Sequence, residues 1–270
     1  MSVKHILSYI EGLSSDSTTL ETAYRLSHHF SATIEAFHVK LDAHDTIPFV
    51  GQGISAPVVE QIITSIESEG KDISKRSIAH VNEFLEKHPE LTLLKNHKDK
   101  QSLKQILWTQ KEGRATEILP EYARLSDLVI MSQASTINEE MTKLIAEEVV
   151  RESARPVLFA VQDVPPTIGE SIVFYWNGSR ESARILTAAL PFLNQAKSVT
   201  LMTATECEEM GLGSDLVLKS LARHGIAPKV IKFKEEGERL AESILDKATT
   251  SGADLIVMGA YTHSKLRQWV

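Results

Sequence analysis

Apolar residues in this chain gather in short, nearly continuous runs, separated by longer stretches in which they recur every three or four positions. The runs at 4–10, 33–39, 104–110, 127–132 and 156–161 predict strands buried on both faces, because a strand with one wet face would alternate. Between them, 17–30 sets Leu20, Ala23, Tyr24 and Ser27 on one helical face. Residues 58–87 carry Ile62, Ile66, Ile73, Val81 and Leu85 at helical spacing, with an interruption expected near Gly70. Residues 114–125 and 139–153 also read as helices. Asp42 to Pro57 holds Pro48, Gly51, Gly53 and Pro57 and reads as a loop. After Pro165-Pro166, a stiff linker, the alternation starts again. Strands are expected near 171–176, 198–204, 228–234 and 254–259, and helices near 181–193, 213–224 and 238–250. Strands alternating with helices predict parallel sheets with helices on both faces, joined by right-handed crossovers.

The second half repeats the first. Ile6, Tyr9 and Gly12 recur as Ile172, Tyr175 and Gly178, at an offset of 166. Ser126-Asp127-Leu128-Val129-Ile130-Met131 recurs as Ala253-Asp254-Leu255-Ile256-Val257-Met258, at an offset of 127. Glu112-Gly113 and Glu236-Gly237 form a third pair. The offset falls by 39, so the first copy is expected to carry additional chain at 40–57 and 88–103. The predicted fold class is α/β: two tandem, Rossmann-like, five-stranded-type parallel sheets, one over 1–163 and one over 167–270. Measured against the first copy, the second stops about 18 residues short of a final helix and strand, and it reads as truncated at its C-terminus.

Composition narrows the function classes. Acidic residues number 36 against 29 basic ones, for a formal charge of −7, which argues against a nucleic-acid partner. No apolar run reaches the ~20 residues of a membrane span. The first residues enter a strand without the pattern of a leader. Cys207 is the single cysteine, so no internal disulfide forms and a cytoplasmic setting is the simple expectation.

In an open parallel sheet, ligands sit beyond the carboxyl ends of the strands, where the strand order reverses. In the second copy, that places Trp176-Asn177-Gly178-Ser179-Arg180 beside Gly259-Ala260-Tyr261-Thr262-His263-Ser264-Lys265. A backbone of small residues there turns its N–H groups toward an anion, with His263, Ser264 and Lys265 as added donors. The plainer reading stays open: Gly259 only turns the chain, Ser179 caps a helix, and His263 is a surface histidine.

These blocks resemble the universal stress protein family. The likeness is carried by Asn177-Gly178-Ser179-Arg180-Glu181-Ser182-Ala183 and by Ala253 to Ser264, and the duplicated layout resembles the family's tandem members. The resemblance implies a five-stranded parallel α/β domain per copy and binding of ATP or a related adenine nucleotide. It implies adenosine facing Asn177 and Gly178, with Ser179 beside them in the cofactor-binding set, and phosphates facing Gly259, Thr262, His263 and Ser264. Against the family's pattern, Thr262 stands at the second glycine and Asn177 replaces an aspartate. The first copy departs further: Ser132-Gln133-Ala134-Ser135 replaces the glycine-bearing turn, Glu139 and Glu140 follow, and Ile145 stands at the third glycine. That copy is expected to be structural, without a phosphate site; Glu11 takes the position of the adenosine-side acid. By the same resemblance, the two copies pair as an intramolecular pseudo-dimer, and the chain is a candidate homodimer.

Other groupings read as structural. Ser14, Asp16 or Ser17 suits a helix cap. His28-His29 suits the C-terminal end of a helix. No His-x-x-x-His pair with a nearby acid signals a metal. No positioned base or acid pair for hydrolysis is visible. The reading is therefore a cytoplasmic, non-catalytic, adenine-nucleotide-binding stress regulator. The alternative is a nucleotide-independent stress scaffold that binds protein partners, and an ATP-hydrolysing or adenylating enzyme stands third.

Overall fold

The computed structural model describes residues 2–42, 56–95, 102–133, 139–205, 213–234 and 240–260. These divide into two compact units, one of 3–164 and one of 165 onward together with Ser2.

The first unit runs β1 (His5–Tyr9), α1 (Asp16–Phe30), β2 (Thr33–Lys40), α2 (Ala56–Lys87), β3 (Thr92–Leu94), β4 (Gln105–Glu112), α3 (Ala115–Ala123), β5 (Leu128–Ser132), α4 (Glu139–Glu152) and β6 (Val157–Ala160). Its six strands lie in the order β3-β4-β2-β1-β5-β6, every pair parallel. Strand order therefore reverses between β1 and β5. Helices cover both faces. On β2, Phe37 stacks on Tyr122 of α3, while the next residue, His38, bonds Ser74 of α2. Neighbouring strand residues point to opposite faces, so α2 and α3 lie on opposite sides. Because this sheet is buried on both sides, β1 and β5 carry Ile6, Leu7, Val129 and Ile130 with no exposed surface.

The second unit runs β7 (Ser171–Trp176), α5 (Arg180–Leu193), β8 (Ser198–Ala204), α6 (Ser214–Arg223), β9 (Lys229–Phe233), α7 (Leu240–Thr250) and β10 (Leu255–Met258). Its described strands form a four-stranded parallel sheet, β10-β7-β8-β9, reversing between β7 and β10. Leu240, Ile244 and Ala248, one stripe of α7, pack on Val173, Tyr175, Met202 and Phe233.

The repeated residues do the same work in both units. Ile6 and Ile172 are buried, as are Tyr9 and Tyr175. Gly12 and Gly178 both take positive φ, +78° and +73°. Asp127 accepts the backbone N–H groups of Lys4 and His5 at 2.8 and 3.0 Å. Asp254 accepts those of Gly169, Glu170 and Ser171, each at 3.0 Å, and the Thr167 hydroxyl at 2.7 Å. In each unit an aspartate at the start of one strand thus clamps the start of its neighbour.

Two expectations change. The first sheet has a sixth strand, β3, at its edge; three residues are too few to show a period. It falls in the 88–103 stretch, and 64 residues separate β2 from β4 where 24 separate β8 from β9. The helix expected to break near Gly70 runs unbroken for 32 residues. Gly70 is buried, with the carbonyl of Leu41 3.4 Å from where its Cβ would stand, an ordinary contact. The loop expected at 42–57 lies mostly outside the described residues.

Candidate functional site

In the second unit the loop after β7 is held by its own side chains. Asn177 Oδ1 accepts the Ser179 N–H at 3.2 Å and the Ser182 hydroxyl. Ser179 has extended backbone geometry and is the N-cap of α5, its Oγ accepting the Ser182 N–H at 3.1 Å. This is the expected cap: a short oxygen-bearing side chain satisfies a first-turn N–H that the helix leaves unpaired. Gly178 turns the chain between them at positive φ, where an L side chain is disfavoured.

Gly259, just after β10, comes against the same helix end. A Cβ there would stand 2.7 Å from the Ser182 nitrogen and 2.8 Å from the Glu181 carbonyl carbon. Its backbone is not in the left-handed region, so the requirement is for space. The structure therefore gathers Asn177, Gly178, Ser179 and Gly259 at the reversal between β7 and β10. Thr262, His263 and Ser264 lie outside the described residues.

At the matching reversal of the first unit, side chains bridge β1 to β5 and α4. Glu11 follows β1, and its carboxylate accepts the Ser132 hydroxyl at 2.7 Å from the end of β5 and the Thr142 hydroxyl at 3.1 Å from α4. Ser132 and Thr142 are both 3% exposed. Burial pushes the Glu11 carboxyl above its ordinary value, and Asp16 adds to this, while the two hydroxyls pull it back. Ile145, at the position of the family's third glycine, is buried in the core.

Asp16 is not the cap that its position suggests. α1 begins on it, Ser15 is the N-cap, and no side chain bonds there. Asp16 is 1% exposed and turns back into the β1 loop, accepting the N–H groups of Glu11 and Gly12, both at 2.9 Å. His80 of α2 donates to it from Nδ1 at 2.8 Å. Burial raises the Asp16 carboxyl from its ordinary value, and His80 and the amides oppose that rise. Gly12 must be glycine here: besides its φ, a Cβ would meet the Ile73 carbonyl oxygen at 2.9 Å. Sequence spacing carries no signal for this pair, since 64 residues separate Asp16 from His80.

Two more polar networks lie inside the first unit. His38, 1% exposed, donates from Nδ1 to the Ile10 carbonyl at 2.8 Å and accepts the Ser74 hydroxyl at 3.0 Å. Burial lowers its pKa and keeps it neutral. Glu35, 3% exposed, is bonded by His5 at 2.9 Å and by the hydroxyls of Thr109 and Tyr122. Burial opposes its ionisation, but these bonds outweigh it and hold the carboxyl below the ordinary value. Among the described residues no group of three His, Cys, Asp or Glu is placed to hold a metal, and no helix is long and apolar enough to cross a membrane.

No family model matches the sequence, and no curated protein matches it. Solved structures match its fold. A universal stress protein from Archaeoglobus fulgidus DSM 4304 aligns with 98% of this chain and 88% of its own, at 14% identity and a TM-score of 0.62. A second, from Pseudomonas aeruginosa UCBPP-PA14, covers 98% and 86%, at 14% identity and 0.55. A functionally unknown protein from P. aeruginosa PAO1 covers 98% and 85%, at 13% identity and 0.54. The chain has the universal stress protein fold, an α/β architecture of parallel sheets.

Proposed function

We propose that this chain, starting from that fold, is a tandem universal stress protein acting as a cytoplasmic, non-catalytic regulator that responds to an adenine nucleotide. Its two domains are 1–163 and 167–270. The first is structural. The second holds the ligand, with adenosine against Asn177, Gly178 and Ser179, and phosphates against Gly259, Thr262, His263 and Ser264. The supporting observation is the approach of Gly259 to the first turn of α5, beside the Asn177 loop, at the reversal of the second sheet. That is where an open α/β sheet binds ligands. Binding shifts a conformational or assembly equilibrium and needs no turnover.

Titration of the full chain with a fluorescent ATP analogue tests this. Saturable binding that Gly259→Ala abolishes supports it, and no saturation at millimolar ligand overturns it.

A second reading, a scaffold for protein partners that needs no nucleotide, draws on Asn177. Its side-chain oxygen is already engaged by Ser179 and Ser182, so a ribose would have to compete for it. Binding of ATP by Thr262→Gly but not by the parent chain would favour the scaffold.

A further inference from the structure

The Asp16–His80 pair lies in the unit for which the proposed function assigns no ligand. Asp16 fixes the imidazole from one side: its carboxylate holds Nδ1 at 2.8 Å and is itself anchored by two backbone amides. A carboxylate on Nδ1 places the proton there and leaves the Nε2 lone pair directed away. The His80 side chain is 23% exposed, and Nε2 has no partner among the described residues. One turn earlier on the same helix, Arg76 donates from Nε to the Gly12 carbonyl at 3.3 Å. The Gly12 peptide thus ties both side chains together, its N–H on the carboxylate that holds His80 and its carbonyl on Arg76. Residues four apart on a helix share a face, so Arg76 and His80 lie on the same side of α2.

An imidazole oriented by a buried carboxylate is a nucleophile at its other nitrogen, and an arginine on the same helix face fixes its target as anionic. We propose that His80 Nε2 is a phosphoryl-acceptor site, served by a small acyl phosphate or phosphoramidate donor. The Nε2 lone pair attacks phosphorus. The N–P bond forms as the bond from phosphorus to the leaving group breaks, and the electron pair departs with the carboxylate of an acyl phosphate or the ammonia of phosphoramidate. The Nδ1 proton stays in place. The ring becomes cationic, and the Asp16 carboxylate stabilises that charge. Arg76 pairs with the transferred phosphoryl oxygens.

The experiment treats the full-length chain with phosphoramidate at neutral pH and follows each histidine by peptide mass spectrometry under conditions that preserve phosphohistidine. His80 is expected to react about tenfold faster than the exposed His28 and His224, the size of effect that an orienting partner has on a histidine. Asp16→Asn should bring His80 down to the rate of those two. Because Asp16 is buried, Arg76→Gln serves as the second variant: Arg76 is exposed, so thermal unfolding should be unchanged while His80 slows several-fold. Equal rates at His80, His28 and His224 overturn the proposal, as does a His80 rate that neither variant changes.

Discussion

The carboxylate of Glu11 accepts the hydroxyl of Ser132 at 2.7 Å, bridging the ends of β1 and β5.

Glu11→Gln tests how much that buried charge costs. The folded pKa of Glu11 lies above the unfolded one, so the stability it contributes is present below about pH 4.5 and is lost as pH rises through the folded pKa. The amide keeps the shape and stays neutral. Denaturation of the variant should show higher stability than the parent at pH 7 and little difference at pH 4.

The His5–Glu35 pair has the opposite arrangement of signs and gives a window. Glu35 is lowered, so its contribution exists above its ordinary 4.5 and is lost as pH falls through the folded value. His5 is raised by Glu35 against the opposing effect of burial, so its contribution exists below its ordinary 6.5 and is lost as pH rises through the folded value. The pair should stabilise most between these two pH values. His5→Gln should lose about 1–2 kcal/mol there and less outside it, measured as urea midpoints across pH.

Gly259→Ala forces a methyl group into the backbone of α5. It should cost the second unit about 1–3 kcal/mol, the usual penalty of overpacking. Chemical denaturation followed through the Trp176 environment reports it, and a neutral result would mean that α5 gives way easily.

The two strand clamps should differ in strength. Asp254→Ala removes a carboxylate that serves three amides and a hydroxyl, and Asp127→Ala one that serves two amides. At about 1–3 kcal/mol for leaving partly buried donors unpaired, the former should be the more damaging in its own unit. Hydrogen exchange at Ser171 and His5 would rank them.

Much of the fold was legible because each strand is short, apolar and followed by a helical period. Ser179 was legible as a cap because capping is local: three residues decide it. β3 was not, since Thr92-Leu93-Leu94 is too brief to carry a pattern. Gly70 misled because one glycine costs a helix only about 1 kcal/mol, too little to break so long an element. Gly259 reads as the start of a phosphate loop or, more plainly, as a turn, and neither reading contains the nearness of α5, about 80 positions upstream. Asp16 shows the same limit. Its type and place fit a cap, but a histidine from α2 and the amides of the β1 loop claim it. Local rules lose where partners come from far along the chain.

The aspartate clamps also bear on how the chain comes into being. Ser171 waits for a partner 83 residues downstream, and His5 for one 122 residues downstream. Such distant closures are entropically expensive and slow to find. During vectorial synthesis, the first unit can stitch its central strand only once Asp127 has emerged, but that moment precedes the making of β7. Each half is thereby finished in turn, which keeps two similarly ordered sets of strands from exchanging partners.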